Sequence, residues 1–493
     1  MHAPGSAGGN TLSDGSGSVH SMLCTTMLLC VSGASPVAPV LLDGRFTDWP
    51  ERTSLPDNSL PTVMGAGDAS HIYLQIVLEG SPVNLQGLDD PAVLLLDLDG
   101  SAHTGGRNLA LAGTDLEVIF SPKLGRRSGG VQLRCPERLD GNQYPDLVDL
   151  VFAPTTASTR FELRLPRTLA FRSGSLTVGD HVHWALEGSL GSARGTCRTS
   201  PERPTPTDSF ETIPSRAAGA TRVVSWNVEF GGLLDHPEPF IRILKALSPD
   251  VLLLQELEPD QQAEDIAAVL QQGVKGNWVV NLGPVNGQLR SAVATRLPST
   301  NVPAIDALKR RDAPDRGVRA AALQVQLPSG STVLMASLHL KCCGVADGPE
   351  DMTRIAETLA VRRAVMEAHS TNPSDGLLLG GDLNLVGSTV PLDLLVLDGE
   401  ELLGGDGDLV VVDALRPDGC GLQTWNKDGQ QYTPGRLDWI VLSGSSLTVQ
   451  QSFVLATSEL SESALQAAGL HPSDAADAAD HLPVVVDLVP VKP

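Results

Sequence analysis

The 493-residue chain predicts an all-β domain followed by a mixed α/β domain, and three observations carry that prediction. Before about residue 198, apolar and polar residues alternate at period two between Gly, Pro and Asp turns, the pattern of antiparallel strands with one buried face. After residue 221, unbroken apolar runs of strand length take turns with segments of helical spacing. Between them residues 199–220 (TSPERPTPTDSFETIPSRAAGA) are rich in Pro, Ser and Thr with almost no apolar periodicity, and read as an interdomain linker.

Residues 1–38 form the leader. Its first 21 residues are rich in Gly and Ser, and Met22 to Val31 is an apolar run followed by small residues. The run has the length of a signal-peptide core and is too short to span a bilayer. No Lys or Arg precedes Arg45, so the usual positive flank is missing and a disordered leader is the other reading. Export is the expectation. No other stretch is apolar and long enough to cross a membrane.

Residues 39–198 form the all-β domain, expected to be a sandwich of antiparallel sheets. Ile72, Leu74, Ile76 and Leu78 alternate with Tyr73, Gln75 and Val77; Leu116, Val118 and Phe120 repeat the pattern, as do Phe161, Leu163 and Leu165. Residues 221–493 form the second domain. Its expected strands are Val223–Val228, Asp250–Gln255, Thr332–Leu338, Gly376–Gly380, Leu437–Leu442 and Pro483–Val489. Helices are expected over Pro239–Leu247, entered through proline, and over Asp260–Gln272 and Pro349–Ala368.

Composition narrows the function. A formal net charge of −23 gives no cationic excess to displace counterions from nucleic-acid phosphates, which disfavours tight nonspecific binding. A divalent cation can still screen a site locally, so a nuclease is not excluded. Seven cysteines cannot all pair within one molecule. With Cys24 and Cys30 in the leader, Cys135, Cys197, Cys342, Cys343 and Cys420 remain. One disulfide per half is expected if the chain is exported, with Cys342 or Cys343 joined to Cys420.

Chemistry concentrates in short motifs that close apolar runs of the second half. They are Ser225-Trp226-Asn227-Val228-Glu229, Leu254-Gln255-Glu256, Ser337-Leu338-His339-Leu340, Gly381-Asp382-Leu383-Asn384, Arg436-Leu437-Asp438 and Ala479-Asp480-His481. Each brings a carboxylate, carboxamide or imidazole to a strand end, the donor types of a metal-dependent site for phosphate esters. Asp382 and Asn384 alternate with leucines and so share a face. Taken singly, Glu256 is a helix-cap acid, His339 a core histidine and Asp-x-Asn a turn; together they point to one pocket.

In order and wording these motifs resemble the endonuclease/exonuclease/phosphatase superfamily over Thr221 to Val489. The resemblance implies a four-layer α/β sandwich and a phosphoric ester hydrolase working by in-line attack of water. It implies Mg²⁺, with Mn²⁺ or Ca²⁺ as alternatives, on Glu256 with Asn227 beside it, and Asp480 as a second ligand; Glu229 is a further candidate acid. By the same resemblance Asp382 orients or deprotonates water, Asn384 contacts the scissile phosphate, His339 donates to a phosphate oxygen, and Asp438 orients His481. The last motif departs from the Ser-Asp-His common in relatives. Expected substrates are nucleic acid, a lipid head group or a sugar phosphate. Trp425, Arg436, Arg316 and Arg319 are candidates for the cleft wall, with solvent exposure the plainer reading, and Asp474 and Asp477 read as a solvated acidic loop.

In the first half, Leu42-Asp43-Gly44-Arg45-Phe46-Thr47-Asp48-Trp49, Asp97-Leu98-Asp99-Gly100, Thr104-Gly105-Gly106 and Gly113-Thr114-Asp115 resemble domains related to family-nine carbohydrate-binding modules. That implies a polysaccharide- or surface-docking module, with calcium on Asp97 and Asp99; a plain turn is the alternative. A binding protein with a catalytically silent second half is the competing function, disfavoured because every motif acid and both histidines are present.

Overall fold

The structure is a computed structural model that describes residues 39–49, 60–124, 127–136, 141, 143–171, 174–204, 210–397, 402 and 409–491. The leader therefore lies outside the described residues, as does part of the expected linker. From Ala38 onward the chain forms one compact unit.

Among the described residues, the N-terminal region holds two main antiparallel sheets beside three two-stranded ones. Strands β1 (Thr62–Gly67), β2 (His71–Val77), β6 (Val151–Ala153) and β7 (Arg160–Pro166) form the first, in the order β1-β2-β7-β6. Strands β3 (Ala92–Asp97), β4 (Leu116–Phe120), β5 (Val131–Arg134), β8 (His181–Gly188) and β9 (Ala193–Arg198) form the second, ordered β9-β8-β3-β4-β5. The expected inward sets meet in one core: Ile72, Leu74, Ile76 and Phe161 from the first sheet pack with Leu94, Val118 and Leu186 from the second.

The alternation misleads on the other face. Tyr73 and Gln75 are fully buried, because the outer face of the first sheet is covered as well. The Leu42–Trp49 motif covers much of it. Trp49 Nε1 donates to Glu162 (2.9 Å), Gly44 N donates to the same carboxylate (2.7 Å), and Asp48 accepts from Leu41 N (2.7 Å). Burial raises Glu162 to about 8 against these donors.

The C-terminal region is layered as helices, sheet, sheet, helices. Its first sheet comprises β10 (Thr221–Asn227), β11 (Val251–Leu257), β12 (Val279–Leu282), β13 (Arg290–Thr295), β20 (Leu447–Val454) and β21 (Val484–Pro490), ordered β12-β13-β11-β10-β21-β20. The second comprises β14 (Ser299–Asn301), β15 (Arg319–Gln326), β16 (Thr332–His339), β17 (Gly376–Asp382), β18 (Leu409–Val411) and β19 (Asp438–Ser443), ordered β14-β15-β16-β17-β19-β18. Their inner faces share a core of Leu253, Val293, Leu323, Met335 and Ile440. Helices α1 (Pro237–Leu247) and α2 (Ala263–Gly273) cover the first sheet, and α3 (Pro349–Thr371) covers the second. Every expected strand and helix of this half is present within a few residues. Strands β12, β13, β14, β15, β18 and β20 lie outside the expected set; β12, β14 and β18 are only three or four residues long, and the mixed Ala, Gln, Thr and Ser content of β13, β15 and β20 carries little apolar signal, so tertiary pairing decides them.

Buried carboxylates of this region are paired. Asp487 accepts from Arg222 Nε (2.7 Å) and Nη2 (2.8 Å), both residues being almost fully buried. Asp474, read as solvated, is also buried, with Arg242 donating to both its oxygens. The described part of 199–220 is irregular, as its composition predicts, yet tied down: Phe210 packs edge-on against Phe453, and Arg216 donates to Asp250 at 2.7 Å.

The N-terminal region also docks on the C-terminal one. Asn84 Nδ2 donates to Val386 O (2.9 Å) and Gly387 O (3.1 Å), while its Oδ1 accepts from Ala346 N (2.8 Å). Gln86 Oε1 accepts from Thr433 N (3.0 Å), and Thr155 Oγ1 donates to Leu385 O (2.7 Å). Cys420 lies buried against the Tyr73 hydroxyl at 3.5 Å, so its expected disulfide with Cys342 or Cys343 is not formed.

Candidate active site

Parallel pairing places the motifs at one edge. Strands β10 and β11 run parallel with Asn227 opposite Gln255, and β16 and β17 run parallel with His339 opposite Asp382. The antiparallel β19 then sets Asp438 opposite Asp382. His339, Asp382 and Asp438 thus form a row across three neighbouring strands. Gly381 makes the row possible: a Cβ there would lie 1.9 Å from Leu338 O, at a φ of +142°.

On the facing sheet, β11 carries a register shift between Leu254 and Leu257, and Glu256 adopts a φ of +60°. Such a bulge re-aims a side chain that regular alternation would place otherwise. Beneath it Gln255 Nε2 donates to Ser337 Oγ (2.9 Å), and Ser337 Oγ donates to Leu254 O (2.8 Å), stitching the two sheets directly under the site.

The side chains converge. His339 Nε2 lies 3.6 Å from Glu256 Oε1 and 3.6 Å from Asp382 Oδ2, and His481 Nε2 lies 3.7 Å from Asp382 Oδ2. Asp382 accepts from Asn384 N (2.9 Å), Asn384 Nδ2 (3.0 Å) and Asn227 Nδ2 (3.1 Å). Asn384 Nδ2 also reaches Leu340 O at 3.2 Å. The His481 Nδ1 contact to Asp438 Oδ2 is 2.7 Å, and Trp226 Nε1 donates to His481 O at 3.0 Å. Thr424, which no sequence signal marks, fixes the acid: its hydroxyl donates to Asp438 Oδ2 (2.7 Å) and accepts from Asp438 N (2.9 Å) and Leu437 N (3.1 Å).

Burial sets the protonation. It raises Asp382 to about 7, helped by the charges of Asp438 and Glu256 and opposed by His481. Glu256 is raised, chiefly by burial. His339 is held well below the usual imidazole range by burial and the nearby charges of Arg319, His481 and Lys341. For His481 burial acts downward, but Asp438 and Asp382 outweigh it and lift the group to about 10.

A cavity of about 430 Å³ opens over these groups. Phe230, Trp425 and Tyr432 line it, with Cys342, Cys343 and Val345 opposite and Asn84, Gln86 and Thr155 from the N-terminal region. Trp425, a candidate for the cleft wall, is therefore a wall residue. Arg436 is not: it is buried over Trp439 and donates to Asp413 at 2.9 Å. Asp480 lines the cavity and its carboxylate sits 3.3 Å from Lys427 Nζ, which also pairs with Glu229. The donor atoms that cluster are those of Glu256, His339 and Asp382, within 4.8 Å of one another. The wall contributed by the N-terminal region was not legible in the sequence.

A four-layer α/β fold with clustered acids and imidazoles at one sheet edge defines a class of hydrolytic domain. A model of the Endonuclease/Exonuclease/phosphatase family matches residues 224–475, just over half of the chain, and the protein belongs to that family. All three activities in that name cleave phosphate esters. Solved structures similar to this chain include an endonuclease/exonuclease/phosphatase family protein from Bacteroides thetaiotaomicron, at 18% identity and a TM-score of 0.37, covering 56% of this chain and 96% of that one. ANGEL2, a 2',3'-cyclic phosphatase, is similar at 15% identity and a TM-score of 0.39, covering 56% and 98%. The 3' phosphatase NExo from Neisseria, bound to product DNA hairpin, is similar at 20% identity and a TM-score of 0.36, covering 54% and 98%. Such distant likeness says nothing of this chain's substrate. No curated protein matches the sequence.

Proposed function

We propose that the protein is an exported, metal-dependent phosphoesterase that hydrolyses a phosphodiester or phosphomonoester by in-line attack of water. The observation that carries this reading is the convergence of Glu256, His339, Asp382 and the Asp438–His481 pair on one cavity.

The residues present fit a hard divalent cation. Two carboxylates and an imidazole offer ligand atoms within 4.8 Å of one another, and Glu256 and Asp382 accept hydrogen bonds from neutral amide groups of Phe230, Asn227 and Asn384. Glu256 with Asn227 would hold Mg²⁺, or Mn²⁺ or Ca²⁺ in its place. Asp480, paired with Lys427, would act from the rim. When bound, the cation supplies Lewis-acid neutralisation of charge on the phosphoryl oxygens.

The chain's own groups do the rest. Asp382, raised toward neutrality, accepts a proton from the attacking water at its Oδ2, and Asn384 and Asn227 keep that carboxylate aimed. His481, protonated and held by Asp438, donates through Nε2 to a phosphoryl oxygen, and neutral His339 donates beside it. Preorganised donors of this kind act where negative charge grows in the transition state. Export rests on the Met22–Val31 run alone. The two facing sheets support a carbohydrate-binding-like β-sandwich, with Leu42 and Trp49 of the first motif serving its core.

The test is chelation. EDTA should abolish hydrolysis of bis(p-nitrophenyl) phosphate, and Mg²⁺ or Mn²⁺ should restore it. Activity that survives chelation, or never appears with any of these ions, defeats the proposal.

A further inference from the structure

We propose that the active-site cavity takes a small phosphate ester with an aromatic alcohol group and no second phosphate, and that the N-terminal region restricts it to that class. This substrate class rests on the phosphoesterase reading and narrows it.

Three aromatic side chains reach the cavity from separate segments. Phe230 follows β10 in a left-handed turn, with φ +51° after φ +42° at Glu229, and its backbone N donates to Glu256 Oε2 at 3.3 Å. The residue thus stands beside the acid that would hold the cation. Trp425 is half-buried and pairs with His481 through an isolated bridge. Tyr432 comes from the loop that follows. Phe230, Tyr432 and Val345 are 58%, 44% and 36% exposed, and all three line this one cavity. A bulky residue seldom adopts positive φ, and exposed apolar surface gathered round a polar site marks where the apolar part of a ligand lies.

The charge of the lining disfavours a polyanion. Among the described residues of the cavity, Lys427 is the single Lys or Arg, and it already pairs with Glu229 and Asp480. His481 is held by Asp438 and faces the reacting phosphate. A cation on Glu256 offsets charge at that phosphate alone. A second phosphate would meet the carboxylates of Glu229 and Asp480, whereas polynucleotide binding draws its affinity from Lys and Arg spread over several phosphates.

The N-terminal region closes the remaining side. Val345 lies so near Gly87 that a Cβ on the glycine would be 2.3 Å from Val345 Cγ1. The Tyr432 loop is fastened on both flanks, since Val131 N donates to Gln431 O (2.6 Å) and Thr433 N donates to Gln86 Oε1 (3.0 Å). Two loops that would border an open groove are therefore anchored to the first half of the chain. What remains is a cavity of about 430 Å³, the size of a small-molecule site.

The experiment uses the full chain with Mn²⁺ and compares phenylphosphonate with methylphosphonate, which carry the same anionic group, as competitive inhibitors of bis(p-nitrophenyl) phosphate hydrolysis. Phenylphosphonate should bind at least about tenfold more tightly, the scale set by burying one ring. Phe230→Ala combined with Tyr432→Ala should remove that preference; both side chains are exposed, so the double variant keeps its core. Oligonucleotides, single-stranded or duplex, should be neither cleaved nor inhibitory at matched phosphate concentration. Equal affinities, a preference that survives in the double variant, or cleavage of an oligonucleotide overturns the proposal. If no ion supports hydrolysis, the phosphoesterase reading has failed, and the same two phosphonates are titrated by calorimetry instead. A tenfold preference there upholds the aromatic site, and equal or absent binding overturns it.

Discussion

Replacing Asp438 by Asn should convert a flat alkaline pH profile into a steep one. The carboxylate faces His481 Nδ1 at 2.7 Å and lies in a site where burial alone would push the imidazole downward. With Asp438 and Asp382 in place, His481 titrates near about 10. At about pH 8 such a group is ~99% protonated, whereas one returned to the ordinary histidine value of about 6.5 is only ~3% protonated. If the protonated form donates to the phosphoryl oxygen, Asp438→Asn should lose up to about thirtyfold in kcat at about pH 8 and much less near pH 6. Asp382 remains 3.7 Å from His481 and retains part of the shift while burial acts against it, so thirtyfold marks the order of magnitude. The assay is kcat against pH with saturating metal on a small diester. A variant whose profile runs parallel to the wild type, lowered equally at every pH, refutes the protonation argument. The same raised value gives a sign for stability: the contribution is complete below the unfolded pKa of about 6.5 and is lost as pH rises through about 10. Asp438→Asn should flatten that alkaline loss in thermal melts.

Glu256→Ala or His481→Ala should lower turnover at least about a hundredfold with circular dichroism unchanged, since the first removes the carboxylate that would hold the cation and the second a donor to the reacting phosphate. Asn84→Ala strips partners from Val386 O, Gly387 O and Ala346 N; we expect a raised KM with kcat kept, and about 1–3 kcal/mol lost in denaturant unfolding for each backbone group left buried and unpaired. Asp487→Ala leaves Arg222 buried without its carboxylate, and should cost about 3–5 kcal/mol in the same unfolding assay while leaving the pH profile unmoved.

The sequence by itself determined which polar residues end the strands that converge on the cavity, and the strands that bear them. Apolar runs such as Val251–Leu254 and Leu377–Leu379 have the length of buried strands, and the polar residue that ends each then emerges at an edge. Asn227, Glu256, His339, Asp382, Asn384, Asp438 and His481 were legible for that reason. Three things belonged to the tertiary structure alone. Asp382 near neutrality and His481 far above it arise from burial and from carboxylates brought across strands, a sum that no local pattern encodes. The fate of Asp474, Arg436 and Trp49 depended on distant partners arriving at hydrogen-bond range. The cavity wall is the clearest case: Asn84, Gln86 and Thr155 lie outside the family-matched segment, and nothing in their neighbours marks them. They face the active site because the first half of the chain docks on the loops of the second, and burial of that shared surface is decided by shape rather than by sequence period.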